Sequence, residues 1–409
     1  MRKIVYSLFV FAAGVFLVDQ LSPPRPIDSF LPPFFEQQIV NDLTRAPFDA
    51  NEVESSWLRV KDQGPFLRCK IIQRKLFIQA SLETKNNARY WIIRNALEQL
   101  IRTKQLASLD CIITLLDSFN GIQNSIPIFT FSASEDAINV ALIPDCEALN
   151  PIDRRYLVES MQKGSKKYPW DHKKSLIFWR GTPTGLDESM HIAARSWLNP
   201  RHKLVQMSLD DPSWIAAEFA YTYRGSDYTK NKQGKLPVSS PAYWEGILPV
   251  SQPVHPQDHL LYRYLIDIDG YSCCFSRTFW IMLSNSLLFK QESKNRQWFY
   301  HGLKPYVHFI PLHEDLSNLR QQYLWCLEHE NECVEMSQKA TQFALDYLGY
   351  QKNLGYLLKA LQVYGSLSKD EPVLTKKDER DWIYHVKWMW YKGKRYIKKL
   401  TNLPIAAKN

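Results

Sequence analysis

The chain has 409 residues, 45% hydrophobic and 23% charged, which excludes a disordered chain and leaves room for two domains of ordinary size. Its net charge is +9, but residues 371–409 alone hold ten Lys/Arg against four Asp/Glu, so the body is only slightly basic and a broad nucleic-acid footprint is not indicated. There is no repeat of fixed period, and the seven cysteines form no CxxC, which argues against a solenoid, a disulfide framework and structural zinc.

Arg2 and Lys3 lead into an apolar run of 15 residues, IVYSLFVFAAGVFLV, ending at Val18. A spanning helix needs about 20 such residues. A charged start on a shorter apolar core has the form of a signal peptide or signal anchor. Asp19-Gln20-Leu21 is a poor cleavage site, so the reading is an uncleaved anchor or an interfacial helix. A buried first helix fits less well, because the run is apolar on every side. Residues 21–50 are Pro-rich and irregular. ARYWIIRNALEQLIRT, 88–103, predicts an amphipathic helix with Ile92, Ala96 and Leu100 beside Ile93, Leu97 and Ile101. DCIITLLD then reads as a buried strand, PIFTF (127–131) as another and NVALIPD (139–145) as a third.

The second half repeats this alternation. SLIFW (175–179) is a strand, DESMHIAARSWL (187–198) a helix closed by Asn199-Pro200, and KLVQM (203–207) the next strand. YRYLIDI (262–268) is a strand, followed by the loop DGYSCCFS, the helix RTFWIMLS and the strand SLLFK (286–290). A helix starts at Asp315, another runs to Gly349 as its C′ residue, and the last ends near Gly365. Alternating strands and helices make the class α/β. Beyond them, Trp382, Val386, Met389 and Ile397 fall close to helical spacing, with Lys387, Lys394, Arg395, Lys398 and Lys399 mostly elsewhere on the wheel. Such a helix suits an anionic membrane surface, or packs on the body with a solvated basic face. The apolar N-terminal run tips the reading toward the membrane.

In open α/β sheets, ligands bind beyond the carboxyl ends of the strands. Arg180 sits at such an end, before a small polar loop, and Arg277 follows strand 262–268 and opens a helix that Ser276 could cap. A single Arg in this setting reads more readily as the partner of a carboxylate. Two of them, each beside a helix start with free backbone N–H groups, read as a diphosphate site. GxxxxGK[ST] and GxGxxG are both missing, so the nucleotide class is neither P-loop nor dinucleotide Rossmann.

FWRGTPTG, YRYLIDIDGYSCCFSR, SNSLLFK and LKPYVHFIPLHEDLSNL, in this order and at this spacing, resemble glycosyltransferase family 90 over roughly residues 105–350. That family includes the Rumi-type protein O-glucosyltransferases, the capsule-associated xylosyltransferases and bacterial lipopolysaccharide core transferases. The vicinal Cys273-Cys274 and the lack of N-x-S/T sequons look more like the bacterial branch. The resemblance implies a GT-B fold of two Rossmann-like domains with an interdomain cleft. It also implies an inverting, metal-independent transfer from a nucleotide-diphosphate sugar, with no other cofactor. Carried over by motif, Ser175, Arg180 and Gly181 would meet the donor, as would the loop Ser272, Cys273, Cys274, Phe275, Ser276 and Arg277. The catalytic base would be Asp117, shortly before the P-x-F-x-F-S segment; outside the resemblance it reads as a turn residue.

The expected organisation is an anchor over 1–20, an acceptor-side domain over 21–172, a donor domain over 173–365 and a basic aromatic tail over 366–409. The acceptor would be a lipopolysaccharide core or related glycolipid at a membrane surface, on the cytoplasmic face of the bacterial inner membrane. Alternatives are a protein O-glycosyltransferase of the secretory lumen and a non-catalytic sugar-nucleotide-binding module. Asp267-Ile268-Asp269 is a literal DxD, which in GT-A enzymes holds a metal. Here Asp267 falls in a strand and Asp269 opens a turn, so the pair reads as structural. His308 and His313, five residues apart in a strand and turn, read as unconnected, and Trp170 as a core aromatic.

Overall fold

The computed structural model describes residues 26–44, 52–123, 125–185, 199–221, 238–368 and 372–378. The apolar run 4–18, the helix expected over 187–198 and the tail from 379 onward lie outside them. Among the described residues, no helix is long and apolar enough to cross a membrane.

The chain builds two sheets. The N-terminal one has five strands in the order β2-β1-β3-β4-β6: β1 (Phe66–Ile72), β2 (Lys75–Gln79), β3 (Leu109–Thr114), β4 (Ile128–Thr130) and β6 (Val140–Leu142). β1 is antiparallel to β2 and β3, whereas β3, β4 and β6 run parallel, so this half is only partly Rossmann-like. The C-terminal sheet is parallel throughout. Its six strands are β7 (Lys174–Gly181), β8 (Ile215–Ala220), β9 (Val250–Ser251), β10 (Tyr262–Asp267), β11 (Leu287–Gln291) and β13 (Ile310–Leu312). Their order, β9-β8-β7-β10-β11-β13, is the doubly wound one. The strand order reverses between β7 and β10, the switch point beyond whose strand ends doubly wound sheets form a ligand crevice.

Both faces of this sheet are covered, which is why its strands are apolar without alternation. Phe178, Leu265 and Leu288 point into a core shared with the N-terminal unit. Their neighbours Ile177, Trp179, Tyr264, Ile266, Leu287 and Phe289 point into a second core on the opposite face. A small antiparallel pair, β5 (Ala133–Ser134) with β12 (Asn295–Arg296), joins the two units, and Arg296 reaches Asp42 at 3.3 Å.

The structure corrects several local readings. Lys203–Met207 is not a strand but part of the helix Pro200–Asp210. Asn199 caps it, its side chain accepting from the Arg201 N–H, and Pro200 takes the first turn, where its missing N–H costs nothing. The strand follows later, as β8. The Pro-rich 21–50 stretch contains the helix Pro33–Thr44. The helix expected from Asp315 begins at Leu319. Gly349 has φ −70° and precedes the helix Tyr350–Leu367, so it is no left-handed C′ residue.

That last helix returns to the N-terminal unit. Asn353 donates to the Ala148 carbonyl (2.8 Å), Tyr364 to that of Asp110 (3.0 Å) and Gln362 to that of Gln105 (2.9 Å). The helix after Gly349 thus packs on the N-terminal unit, although the expected donor domain runs to residue 365. The segment 372–378 follows it: Asp378, fully buried, accepts from Lys70 Nζ at 2.9 Å and from Gln79 at 2.6 Å. Burial works against this carboxylate, but Gln79, Thr375 and Lys70 together hold it below its usual range. Its folded-state contribution is thus present above the ordinary carboxylate range and lost as pH falls through the lowered value.

Lys70→Met leaves that charge buried and uncompensated and should lower unfolding stability by about 3 kcal/mol. Lys70→Met with Asp378→Leu should recover most of the loss in urea titrations. Equal stability of Lys70→Met and wild type would contradict the clamp.

Candidate active site

The crevice between β7 and β10 is built around one buried cation that sequence reading passed over. Arg201, in the first turn of its helix, is 6% exposed and uses all five of its N–H donors. Nε donates to the Asp269 carbonyl (3.0 Å), and Nη1 to Thr182 O (2.9 Å) and Thr184 Oγ1 (2.6 Å). Nη2 donates to Ile268 O (3.0 Å) and Cys274 Sγ (3.1 Å). The loops after β7 and after β10 are thereby tied to one guanidinium. Two glycines let them touch. Gly185 has φ +99°, and a Cβ there would lie 2.9 Å from the Gly270 carbonyl; a Cβ on Gly270 would lie 2.5 Å from Thr184 Oγ1.

Arg277, at the start of the helix Arg277–Met282, donates through Nη2 to the Arg180 carbonyl at 2.8 Å. Burial pulls its guanidinium below the usual range. His259, packed against Trp280, is held well below its ordinary value by burial and by Arg277 and Arg180, so it stays neutral beside them. Arg180 does lie at the carboxyl end of β7, but it has a carboxylate partner. Its Nη2 is 3.0 Å from Glu218 on β8, and Nη1 donates to Trp179 O and Ala216 O. A diphosphate would have to take Arg180 from Glu218.

Gly181 ends the strand beside Arg180. Ser175 is not brought to the others: it lies five residues back along β7, roughly 16 Å at about 3.3 Å per residue, where its carbonyl accepts from Tyr323. Ser276 precedes the helix of Arg277 but makes no side-chain cap bond. Cys274 is occupied by Arg201 and by the Ile268 carbonyl, and burial pushes its thiol up to about 11. Cys273 faces Ser132 across the junction of the units, its thiol also raised by burial.

Asp117 meets the same loop from the N-terminal side. Ser272 Oγ donates to its carbonyl at 3.3 Å, and its carboxylate, half exposed, pairs with Arg89 Nη2 at 2.5 Å. Arg89 also donates to Leu115 O (2.7 Å) and lies 5.8 Å over the Phe275 ring. Burial opposes its charge, yet Asp117 holds the guanidinium above its usual range. Phe275 in turn packs edge-on against Phe131, at 5.9 Å. The 272–277 loop thus meets Asp117 and Arg89 through Ser272 and Phe275 at one end and the Arg180 carbonyl through Arg277 at the other. The DxD carboxylates diverge: Asp267 accepts from Thr278, and Asp269 from Ser293 (2.6 Å) and Asn295 (3.0 Å).

Arg89, Arg201 and Glu218 escaped the sequence reading. A signal existed for two of them. Each Arg stands two residues after an Asn that caps its helix, Asn87 and Asn199. Glu218 sits in a strand that the sequence reading missed.

The family model described as Glycosyl transferase family 90 matches residues 30–383. The O-glucosyltransferase rumi of Drosophila melanogaster is 27% identical over 215 residues, covering 52% of this chain and 46% of that protein. Protein O-glucosyltransferase 2 of Danio rerio is 24% identical over 281 residues, 67% of this chain and 50% of that one. The chain thus spans about half or less of the length of the curated relatives it matches. Among solved structures, Anabaena Alr3699/HepE in complex with UDP-glucose is similar at 10% identity and TM-score 0.36, over 69% of this chain and 77% of that one. A Rickettsia africae glycosyltransferase reaches 13% and 0.35, over 71% and 85%. The strand order, not these loose likenesses, carries the fold.

Arg201→Lys keeps the charge but cannot reproduce the planar fork. It should lower unfolding stability by about 2 kcal/mol in urea titrations; an unchanged midpoint would show that the two loops do not depend on it.

Proposed function

This chain belongs to glycosyl transferase family 90, and on that premise we propose that it moves a hexose or pentose from a nucleotide-diphosphate sugar to an acceptor hydroxyl with inversion. The observation that carries the reading is the contact between Asp117 and the Ser272–Arg277 loop: Ser272 Oγ reaches the Asp117 carbonyl, so a half-exposed carboxylate paired with Arg89 stands against the loop that leads to Arg277. Asp117 takes the proton of the acceptor hydroxyl as its oxygen attacks the anomeric carbon. The bond from that carbon to the diphosphate breaks, and Arg277 stabilises the charge that leaves. Arg180 joins it by exchanging Glu218 for phosphate, a change favoured by the greater charge of the diphosphate. Arg89 fixes the base through two hydrogen bonds, one to the carboxylate and one to the strand end.

For the acceptor, the apolar N-terminal run and the basic aromatic C-terminus support a lipopolysaccharide core or related glycolipid, met at the cytoplasmic face of a bacterial inner membrane. The named relatives favour a second reading, O-glycosylation of a protein in a secretory lumen.

Asp117→Asn should lower turnover about 10³-fold while nucleotide binding is kept; turnover equal to wild type in a nucleotide-release assay removes Asp117 from the reaction. Arg277→Ala should weaken nucleoside-diphosphate binding at least tenfold by calorimetry, the loss expected for one charged hydrogen bond of about 1.5 kcal/mol or more. Equal affinity refutes the phosphate role.

A further inference from the structure

A groove of about 700 Å³ opens between the two units beyond the carboxyl ends of β11 and β13. Glu135 closes it from the N-terminal side, and neither Asp117, Arg180 nor Arg277 lines it. Its rim holds exposed charges of both signs, Glu135, Glu292, Lys294 and Glu314, which solvent screens. Its floor is different. Two cations are buried there, Arg296 at 6% exposure and Lys290 at 8%. Arg296 turns its guanidinium to Asp42. Lys290 has no ion pair or hydrogen bond among the described residues; its Nζ stands 4.0 Å over the ring of Tyr300.

A ring face compensates part of the desolvation of an ammonium, and an anion compensates the rest. Among the described residues, neither neighbouring carboxylate forms an ion pair with Lys290: Asp267, opposite it on β10, accepts from Thr278 through Oδ2 and leaves Oδ1 without a partner, and Asp269 accepts from Ser293 and Asn295. The 269–276 loop separates this groove from the crevice. Asp269 faces the groove through Ser293 and Asn295, whereas Gly270 and Cys274 face Thr184 and Arg201. The volume is that of a small-ligand site and accommodates a saccharide.

We propose that this groove is an acceptor subsite in which Lys290 binds an anionic group, phosphate or carboxylate, on the saccharide that receives the sugar. The inference rests on the glycosyltransferase reading above. It deepens that reading by making the acceptor an acidic one, and it assigns Lys290 to the acceptor rather than to the nucleotide.

The test is calorimetry on the full chain with glucose 6-phosphate, glucuronic acid, glucose, inorganic phosphate and UDP, using wild type, Lys290→Met and Lys290→Arg. Glucose 6-phosphate or glucuronic acid should bind wild type more tightly than either glucose or inorganic phosphate. That binding should weaken at least tenfold in Lys290→Met and be kept in Lys290→Arg, with UDP affinity the same in all three. Lack of binding of both acidic sugars to wild type overturns the proposal. So does equal binding by Lys290→Met, or inorganic phosphate binding as well as the sugar phosphate. A UDP affinity that falls with Lys290→Met overturns it by giving the lysine to the donor. Failure of the underlying reading shows separately, as Arg277→Ala leaving nucleoside-diphosphate affinity unchanged. Lys290→Arg guards against misfolding as the cause, since it keeps the charge at the same place.

Discussion

A guanidinium buried without a carboxylate is costly unless every N–H finds an oxygen or sulfur. Arg201 meets that condition only while the loops after β7 and β10 stand where they do, because its five acceptors come from both. Parting the loops would strand a buried charge. The crevice at the sheet's reversal point is therefore a fixed feature, and the glycines at 185 and 270 are what allow the loops to close on each other. Everything at the candidate site hangs from that junction: Arg277 and Cys274 on one loop, Arg180 and Gly181 at the strand end before the other.

The second half of the site comes from the other unit. Asp117 is held through its backbone by Ser272 and through its carboxylate by Arg89, so the position of this carboxylate is set from both sides of the junction. Phe275 lies between Arg89 and Phe131, an apolar contact that keeps the loop against the N-terminal unit. The Arg180–Glu218 pair would give a choice between partners: the guanidinium that now holds a carboxylate on the neighbouring strand would, in the proposed reaction, turn to a diphosphate. A carboxylate of one charge on a neighbouring strand is a weaker partner than a diphosphate able to accept bidentate bonds.

Much of the fold was legible in the sequence, where the signals were local. The apolar run at 109–114 is a central strand of the mixed N-terminal sheet, and those at 174–181, 262–267 and 287–291 are strands of a parallel sheet covered on both faces. The helix over 88–102 follows from its 3.6-residue period. What failed was signal with two meanings. Asn199-Pro200 reads equally as the end of one helix and the start of the next; it starts the helix Pro200–Asp210, and the helix expected before it lies outside the described residues. β1 and β2 gave no usable pattern, because β1 buries Arg68 and Lys70, whose charges are neutralised by Asp110 and by Asp378, some 300 positions away. At the candidate site, the motifs point to Asp117 and Arg277, and the structure sets Asp117 against the loop that leads to Arg277. Arg89 and Arg201 carried only the local signal of a capping Asn two residues before them, and their partners, like that of Glu218, are distant in sequence; Ser175 stands at the far end of β7 from Arg180.

The most direct measurement is a crystal structure with a nucleoside diphosphate bound. The diphosphate is predicted to lie at the β7/β10 crevice against Arg277, with Arg180 turned from Glu218 toward it and the Asp117 carboxylate one sugar ring away. A diphosphate seated elsewhere, with Arg180 still on Glu218 and Asp117 facing away from it, would contradict the account.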